Sequence, residues 1–186
     1  MNNKKTLAFI DFEFSGLHMK TTPISIGIIT DSGHKFYAEF NDYDKSQCDD
    51  WINENVINKL EFNQYFHYLE NDEENKSVKL KNNKEKISES LNIWLKQFKN
   101  IEFWGDSISY DWLLFIDVLG LGNKMRKLPN NFYSNNAFDI ATILHVNYEK
   151  TKTNRHELLG IEKINQHNSL YDAEITMKLY NKFVKI

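Results

Sequence analysis

The stretch Thr6–Phe14 (TLAFIDFEF) decides how this 186-residue chain folds. It is almost continuously apolar and aromatic, which is typical of a central strand covered on both faces, but Asp11 and Glu13 interrupt it. Side chains two apart on a strand point to the same face, so the two carboxylates project together. Neighbouring carboxylates repel each other and resist desolvation, and Mg²⁺ or Mn²⁺ removes both penalties. The pair predicts a divalent-metal site; the alternative is an edge strand with solvated acids.

The segments that follow this strand predict an α/β fold. Isoleucines at alternate positions over 24–28, a turn at 31–33 and the strand-like residues 35–40 (KFYAEF) complete a three-stranded β-meander. We expect a short helix around 52–60, a helix over 87–98, a short strand over 101–104, and helices over 112–119, 139–148 and 170–184. The polar residues 70–86 are expected to form a solvated loop or helix start, and 120–136 and 149–168 to be irregular. No repeat or boundary interrupts 1–186, which predicts a single domain with a central mixed sheet flanked by helices.

Composition limits the class of protein and its surroundings. With 41% hydrophobic and 26% charged residues, the chain is neither disordered nor collagen-like. Cys48 is the one cysteine, which excludes an internal disulfide and favours a reducing, cytoplasmic compartment. No stretch approaches the roughly 18 apolar residues of a membrane span. The net charge of −3 provides no general attraction for nucleic acid, so local basic residues or bound cations would have to attract a polyanion.

Two further acidic positions stand beside predicted helices. Asp111 follows a short strand and opens an apolar helix, where an acid also complements the helix dipole; Asp106 is a rival in the preceding turn. Asp172 fits a capping box with Ser169, which by itself is the simpler interpretation. His167 lies just before this helix and would overhang a site containing Asp172. The other histidines show no ligand spacing and are assigned no role.

Taken in order, Asp11-x-Glu13, Asp111 and His167-x4-Asp172 resemble the three motifs of the DEDDh exonucleases, the superfamily of proofreading exonucleases, ribonuclease T and oligoribonuclease. Residues 11–17 (DFEFSGL) are similar to the first motif and residues 167–173 (HNSLYDA) to the last. The short length and Trp51 ahead of residues 56–60 (VINKL) resemble the small mycobacterial-type 3′→5′ exoribonuclease branch. The middle motif departs from the pattern, because many members carry Asn and Phe where this chain has Ser107 and Tyr110.

The resemblance implies a ribonuclease H-like fold over about 6–183 and a metal-dependent 3′→5′ exoribonuclease that releases nucleoside 5′-monophosphates. It implies two Mg²⁺ or Mn²⁺ ions, bridged by Asp11. Glu13 and Asp172 would complete the site of the attacking water, and Asp111 would support the second ion. His167 would be the general base, because imidazole titrates near neutral pH.

Substrate contacts follow from the same resemblance. Leu17 would wedge against the terminal base, although a core leucine is the alternative, and the backbone of Phe14, Ser15 and Gly16 would contact the terminal ribose. Tyr110 is a candidate for base stacking, whereas Trp112 is better explained as a core residue. Basic residues before the last motif would grip the nucleic-acid backbone or simply be solvated: Lys124, Arg126, Lys127, Lys152 and Arg155.

Three matters stay open in the sequence. The substrate is the 3′ end of single-stranded RNA or, alternatively, of single-stranded DNA, and the residue that would recognise the 2′-hydroxyl is not identified. A non-catalytic module that binds nucleic-acid ends is a further alternative, although the complete set of acids with His167 favours an enzyme. Homodimerisation is implied only by resemblance to relatives that pair.

Overall fold

The computed structural model describes residues 5–121, 128–148 and 153–184. Their strands form a seven-stranded mixed sheet with the order β4-β5-β3-β2-β1-β6-β7. The strands are β1 (Thr6–Phe14), β2 (Pro23–Thr30), β3 (Lys35–Phe40), β4 (Tyr68–Asp72), β5 (Ser77–Asn82), β6 (Ile101–Gly105) and β7 (Phe138–Asp139). The predicted meander is confirmed, because β2 pairs antiparallel with both β1 and β3. Parallel pairs of β1 with β6 and of β3 with β5 make the sheet mixed.

Helices cover both faces of the sheet. They are α1 (Asp50–Asn55), α2 (Lys84–Leu95), α3 (Ser109–Val118), α4 (Ile140–Tyr148), α5 (Arg155–Leu159) and α6 (Ser169–Phe183), with 3₁₀ turns at Lys45–Gln47 and Ile57–Lys59. On one face α2 and α3 pack against Ala8, Ile10 and Phe12 of β1. On the other, α4, α5 and α6 pack against Phe9. Because side chains alternate along a strand, Asp11 and Glu13 share the face of α6. Among the described helices, none has the length and apolar character needed to cross a membrane.

Two expectations about local structure were wrong. Residues 70–86 contain most of the antiparallel hairpin β4–β5 rather than a loop, although the expected helix start is confirmed, because α2 begins at Lys84 and Asn83 caps it. The pattern looked like a loop because β4 is an edge strand with mostly exposed side chains, so it lacks the apolar alternation of a half-buried strand. Within 149–168, residues Arg155–Leu159 form α5. At α4, which begins at Ile140, Asp139 is a helix cap, as its place before Ile140 predicts: its carboxylate accepts from the backbone N–H groups of Ala141 and Thr142, and its own backbone pairs with β6.

Helix α6 approaches β2 at Gly27, the residue paired with Asp11. A Cβ atom built on Gly27 would lie 2.2 Å from the backbone nitrogen of Leu170, so only glycine allows this contact. Beside it, the buried hydroxyls of Ser25 and Ser169 are 3.0 Å apart. The first turn of α6 is therefore seated directly above the acidic strand.

We expect Gly27→Ala to destabilise the protein, because the clash is with backbone that cannot rotate away. Overpacking of this kind costs roughly 1–3 kcal/mol, and here α6 must also shift away from the strand. Urea unfolding of the metal-free protein measures the loss. Ser25→Ala, which removes the neighbouring hydrogen bond without a clash, is the matched control and should cost about 1 kcal/mol. Equal stability of Gly27→Ala and the parent would contradict the close approach.

Candidate active site

The acids of β1 form the floor of a cleft of about 500 Å³. Asp11 and Glu13 are half-buried there and lie under the N-terminal half of α6. Register explains why the cleft opens at this point: the pairing of β1 with β6 ends at Phe9 and Trp104, so the later residues of β1 have no strand partner on that side. The sequence prediction that these two carboxylates project together is consistent with this placement.

Asp111 reaches β1 from the first turn of α3. Its Oδ1 accepts a 2.8 Å hydrogen bond from the backbone N–H of Phe12, which lies between Asp11 and Glu13 in the chain. This N–H would otherwise be buried without a partner, because β6 has already ended. The bond fixes the third acid beside the first two, and Asp111 is only 7% exposed.

The last motif brings Asp172 and His167 to the opposite wall. Asp172 lies in the first turn of α6, and its Oδ2 accepts a 2.8 Å hydrogen bond from the backbone N–H of His167. The Nδ1 of His167 is 3.9 Å from Oε1 of Glu13. One potential ligand atom from each of these three residues lies within 4.8 Å of the others.

The expected capping box is wrong: Asn168 is the N-cap and accepts from the N–H of Tyr171, while Ser169 faces β2.

The clustered carboxylates oppose one another electrostatically. Burial, followed by the charges of Asp111, Glu13 and Asp172, raises the pKa of Asp11 well above its ordinary value. Burial is also the largest cause that raises the pKa of Glu13 to about 8, that of Asp111 to about 7 and that of Asp172 to about 6. A bound divalent cation would favour the charged forms of these carboxylates, so a site made of carboxylate oxygens and one imidazole fits Mg²⁺ or Mn²⁺.

This arrangement predicts how stability depends on pH and on cations. Acids with a raised pKa bind more protons in the folded state, so the unfolding free energy of the metal-free protein should fall as pH rises from about 4.5 to about 8. Saturating Mn²⁺ should raise the melting temperature most at the upper end of this window, because a ligand of the folded state stabilises it by about 2.7 kcal/mol at 100 times its Kd. Thermal melts at pH 5 and pH 8, with Mn²⁺ or with chelator, test both statements. A melting temperature unaffected by Mn²⁺ at pH 8 would contradict them.

His167 is suited to accept a proton. Burial is the first cause that lowers its pKa from 6.5, and the charges of Lys59 and Lys163 lower it further. The imidazole is therefore neutral near physiological pH. Its ring lies edge-on to that of Trp51, with centroids 5.0 Å apart. Lys59 also donates a 3.0 Å hydrogen bond to the carbonyl of Gln166. The sequence offered no signal for these two contacts.

The predicted substrate contacts occupy different environments. Leu17 lines the cleft with 77% of its surface exposed, which excludes the alternative of a core leucine. Phe14 and Tyr110 also line the cleft and stack on each other, with ring centroids 5.5 Å apart.

The Ser15 side chain is fully buried and its hydroxyl donates a hydrogen bond to Gln47. Next to it, Gly16 lies in the loop 15–22 between β1 and β2, which we call the Leu17 loop. As expected, Trp112 packs on core aromatic residues.

Of the five basic residues predicted to grip the nucleic-acid backbone or be solvated, one lies among the residues that the structure describes. Lys124, Arg126, Lys127 and Lys152 lie outside the described residues. Arg155 lines the cleft and makes a two-point ion pair with Asp106, in which Nη2 donates to Oδ1 at 2.8 Å. The sequence gave no indication of this pair, because its partners are 49 residues apart. The ion pair holds Asp106 at the wall of the site, where its charge still contributes to the raised pKa values of Asp11, Asp111 and Asp172.

Comparison with known proteins agrees with this geometry. A family model described as the 3′-5′ exoribonuclease Rv2179c-like domain matches residues 6–184. The match includes β1, α3 and α6, and therefore all the acids of the cleft together with His167. No curated protein sequence matches the chain.

Proposed function

The chain belongs to the family of Rv2179c-like 3′-5′ exoribonuclease domains, and from that premise we propose that it hydrolyses single-stranded RNA from the 3′ end and releases nucleoside 5′-monophosphates in a divalent-cation-dependent reaction. One observation carries the proposal: Asp11, Glu13, Asp111 and Asp172 meet His167 in a single cleft. Acids that repel one another lower the stability of the fold unless a ligand offsets the repulsion, and a purely structural or adaptor domain would gain nothing in return.

The cleft carboxylates are the candidate ligands for two Mg²⁺ or Mn²⁺ ions. The charges of Asp111, Glu13 and Asp172 all raise the pKa of Asp11, so it shares the cleft with the other three acids, and it is the residue that the family resemblance implies would bridge the two ions. Such ions supply an activated water and stabilisation of the leaving oxygen. Asp111 is already held by the N–H of Phe12 through one oxygen, so its other oxygen remains for a ligand or an intervening water.

His167 is the proposed general base. Its neutral imidazole accepts the proton of the attacking water and lies beside Glu13, whose carboxylate stabilises the imidazolium that forms. The hydrogen bond between its own backbone N–H and Asp172 links the position of the base to that of the acid. The pKa below 6.5 keeps the base unprotonated at neutral pH.

The end of the substrate is proposed to lie against the Leu17 loop. The exposed Leu17 side chain offers an apolar surface for the terminal base, and the stacked pair of Phe14 and Tyr110 offers a second one. The backbone at Ser15 and Gly16 is the candidate contact for the terminal ribose, since the hydroxyl of Ser15 is occupied by Gln47. A cytoplasmic location and a homodimer remain predictions.

Digestion of end-labelled oligonucleotides tests this function. With Mn²⁺ or Mg²⁺, RNA labelled at its 5′ end should shorten one nucleotide at a time, and RNA labelled at its 3′ end should release labelled mononucleotide at once. Matched DNA should be cut more slowly if the 2′-hydroxyl is recognised. Faster digestion of DNA would support the single-stranded DNA alternative, and binding without cleavage at any cation concentration would support the end-binding module.

A further inference from the structure

Beside the turn that carries His167 lies Asp50–Lys59, which we call the roof segment; it comprises α1 and the 3₁₀ turn Ile57–Lys59. The segment is fixed to the sheet, because Ile52 and Val56 are buried against Ile24 of β2. At its start, Asp49 caps α1 by accepting from the N–H of Ile52 at 2.8 Å. The roof segment is thus a rigid support rather than a loose loop.

The chain just after the roof segment is clamped at Phe62. Its backbone N–H donates to the buried carboxylate of Glu39 at 3.0 Å, and its carbonyl accepts from Lys81 at 2.8 Å. Glu39 is fully buried and its Oε2 lies 3.4 Å from Nζ of Lys81, so the backbone N–H and C=O of Phe62 are both held by one charged pair. Both ends of the segment that carries Lys59 are therefore anchored.

The turn that carries His167 is less well supported by its own contacts. Asn165 and His167 both have positive φ angles, 54° and 69°, a backbone conformation that residues other than glycine adopt only at a cost. Inside the turn, the N–H of Asn168 donates to the carbonyl of Asn165 at a long 3.2 Å. The bond from His167 to Asp172 fixes its backbone but not the direction of its imidazole.

Lys59 and Trp51 connect this turn to the roof segment. The ammonium of Lys59 donates to the carbonyl of Gln166 at 3.0 Å, and the Trp51 ring meets the His167 ring edge-on. The first contact restrains Gln166, the residue before His167, and the second restrains the side chain of His167 itself. We infer that Lys59 is a positioning residue for hydrolysis, which ties the His167 turn to the rigid roof segment so that the imidazole stays beside Glu13. This inference rests on the proposed role of His167 as general base.

The inference predicts a loss in kcat with little change in KM when the tether is removed. In Lys59→Met we expect kcat at saturating Mn²⁺ to fall about tenfold, since a catalytic group misplaced by 1 Å can cost up to 100-fold. KM should stay within about twofold, because Lys59 does not hold the substrate. Lys59→Arg should recover most of the loss, since a guanidinium can also donate to the carbonyl of Gln166. Lys163→Met is the matched control, because it removes an exposed charge that also acts on His167 without removing the tether.

A double-mutant cycle separates positioning from direct contact with RNA. If Lys59 acts through His167, Lys59→Met should cost less than about twofold in a His167→Ala background, measured in single-turnover reactions. Losses that multiply, a raised KM, or a Lys59→Met enzyme no slower than Lys163→Met would overturn the inference while leaving His167 as the base. Full activity of His167→Ala alone would overturn the base itself and the inference with it. Because the charge of Lys59 also acts on Glu13 and Asp172, the size of the Mn²⁺-induced melting shift need not equal that of the parent, and a shift that is retained establishes that Lys59→Met folds and binds the cation.

Discussion

Asp11→Asn should abolish hydrolysis while making the metal-free protein more stable. We expect the rate to fall by roughly 10³-fold or more, because the variant loses one of the proposed metal ligands of the acidic cleft. Stability should change in the opposite direction, since burial and four neighbouring acids disfavour the Asp11 carboxylate and a neutral amide removes that repulsion. A residue with only a structural role would lose activity and stability together.

The two effects of Asp11→Asn are measured by 3′-end release from labelled RNA and by thermal melts at pH 8 in chelator. Asp31→Asn is the matched control, because Asp31 is an exposed acid that accepts a 3.2 Å hydrogen bond from Leu7 at the other end of β1. It should retain activity within about twofold, in keeping with the small effects of most surface substitutions. Retained hydrolysis in Asp11→Asn would rule out the proposed use of the acidic cleft.

His167→Ala is expected to lower kcat by about 10²- to 10⁴-fold, the usual contribution of a positioned general base. Because a base must be unprotonated and the pKa of His167 is lowered from 6.5, kcat of the parent should rise with pH below 6.5 and level off above it. The variant should lose this rise. The measurement is a pH profile of kcat at saturating Mn²⁺, which keeps the protonation of the carboxylates from limiting the rate.

His167→Gln provides the complementary variant. A glutamine retains polar atoms and similar bulk but cannot take a proton in this pH range, so it should be as slow as alanine. Both variants should still be stabilised by Mn²⁺, since the carboxylates remain. If glutamine restored most of the rate, His167 would orient water without accepting its proton, and another base would be required.

The core of the site was predictable because its signals are local. In β1, the two acids stand out against apolar neighbours, and a period of two residues places them on one face whatever the rest of the chain does. Asp172 was identified only through the resemblance of residues 167–173 to the last motif, because by itself it fitted a capping box with Ser169. The ribonuclease H-like fold was implied by the resemblance, and the mixed sheet with helices on both faces is consistent with it.

The expectations that were wrong depended on tertiary contacts. Edge strand β4 is held by backbone pairing with β5, so its side chains carry little pattern. Ser169 satisfied a capping pattern in sequence, but its hydroxyl is used by Ser25 of β2, 144 residues away. Likewise, the tether from Lys59 spans 107 residues. No periodicity within one element could reveal partners at such separations.

The seating of α6 on Gly27 has a consequence during synthesis of the protein. The strand with the first two acids leaves the ribosome early, whereas His167 and Asp172 arrive with the final described helix. Until that helix has emerged and docked on β2, a nascent chain holds only part of the candidate site. Any change that prevents α6 from docking should therefore remove His167 and Asp172 from the cleft together.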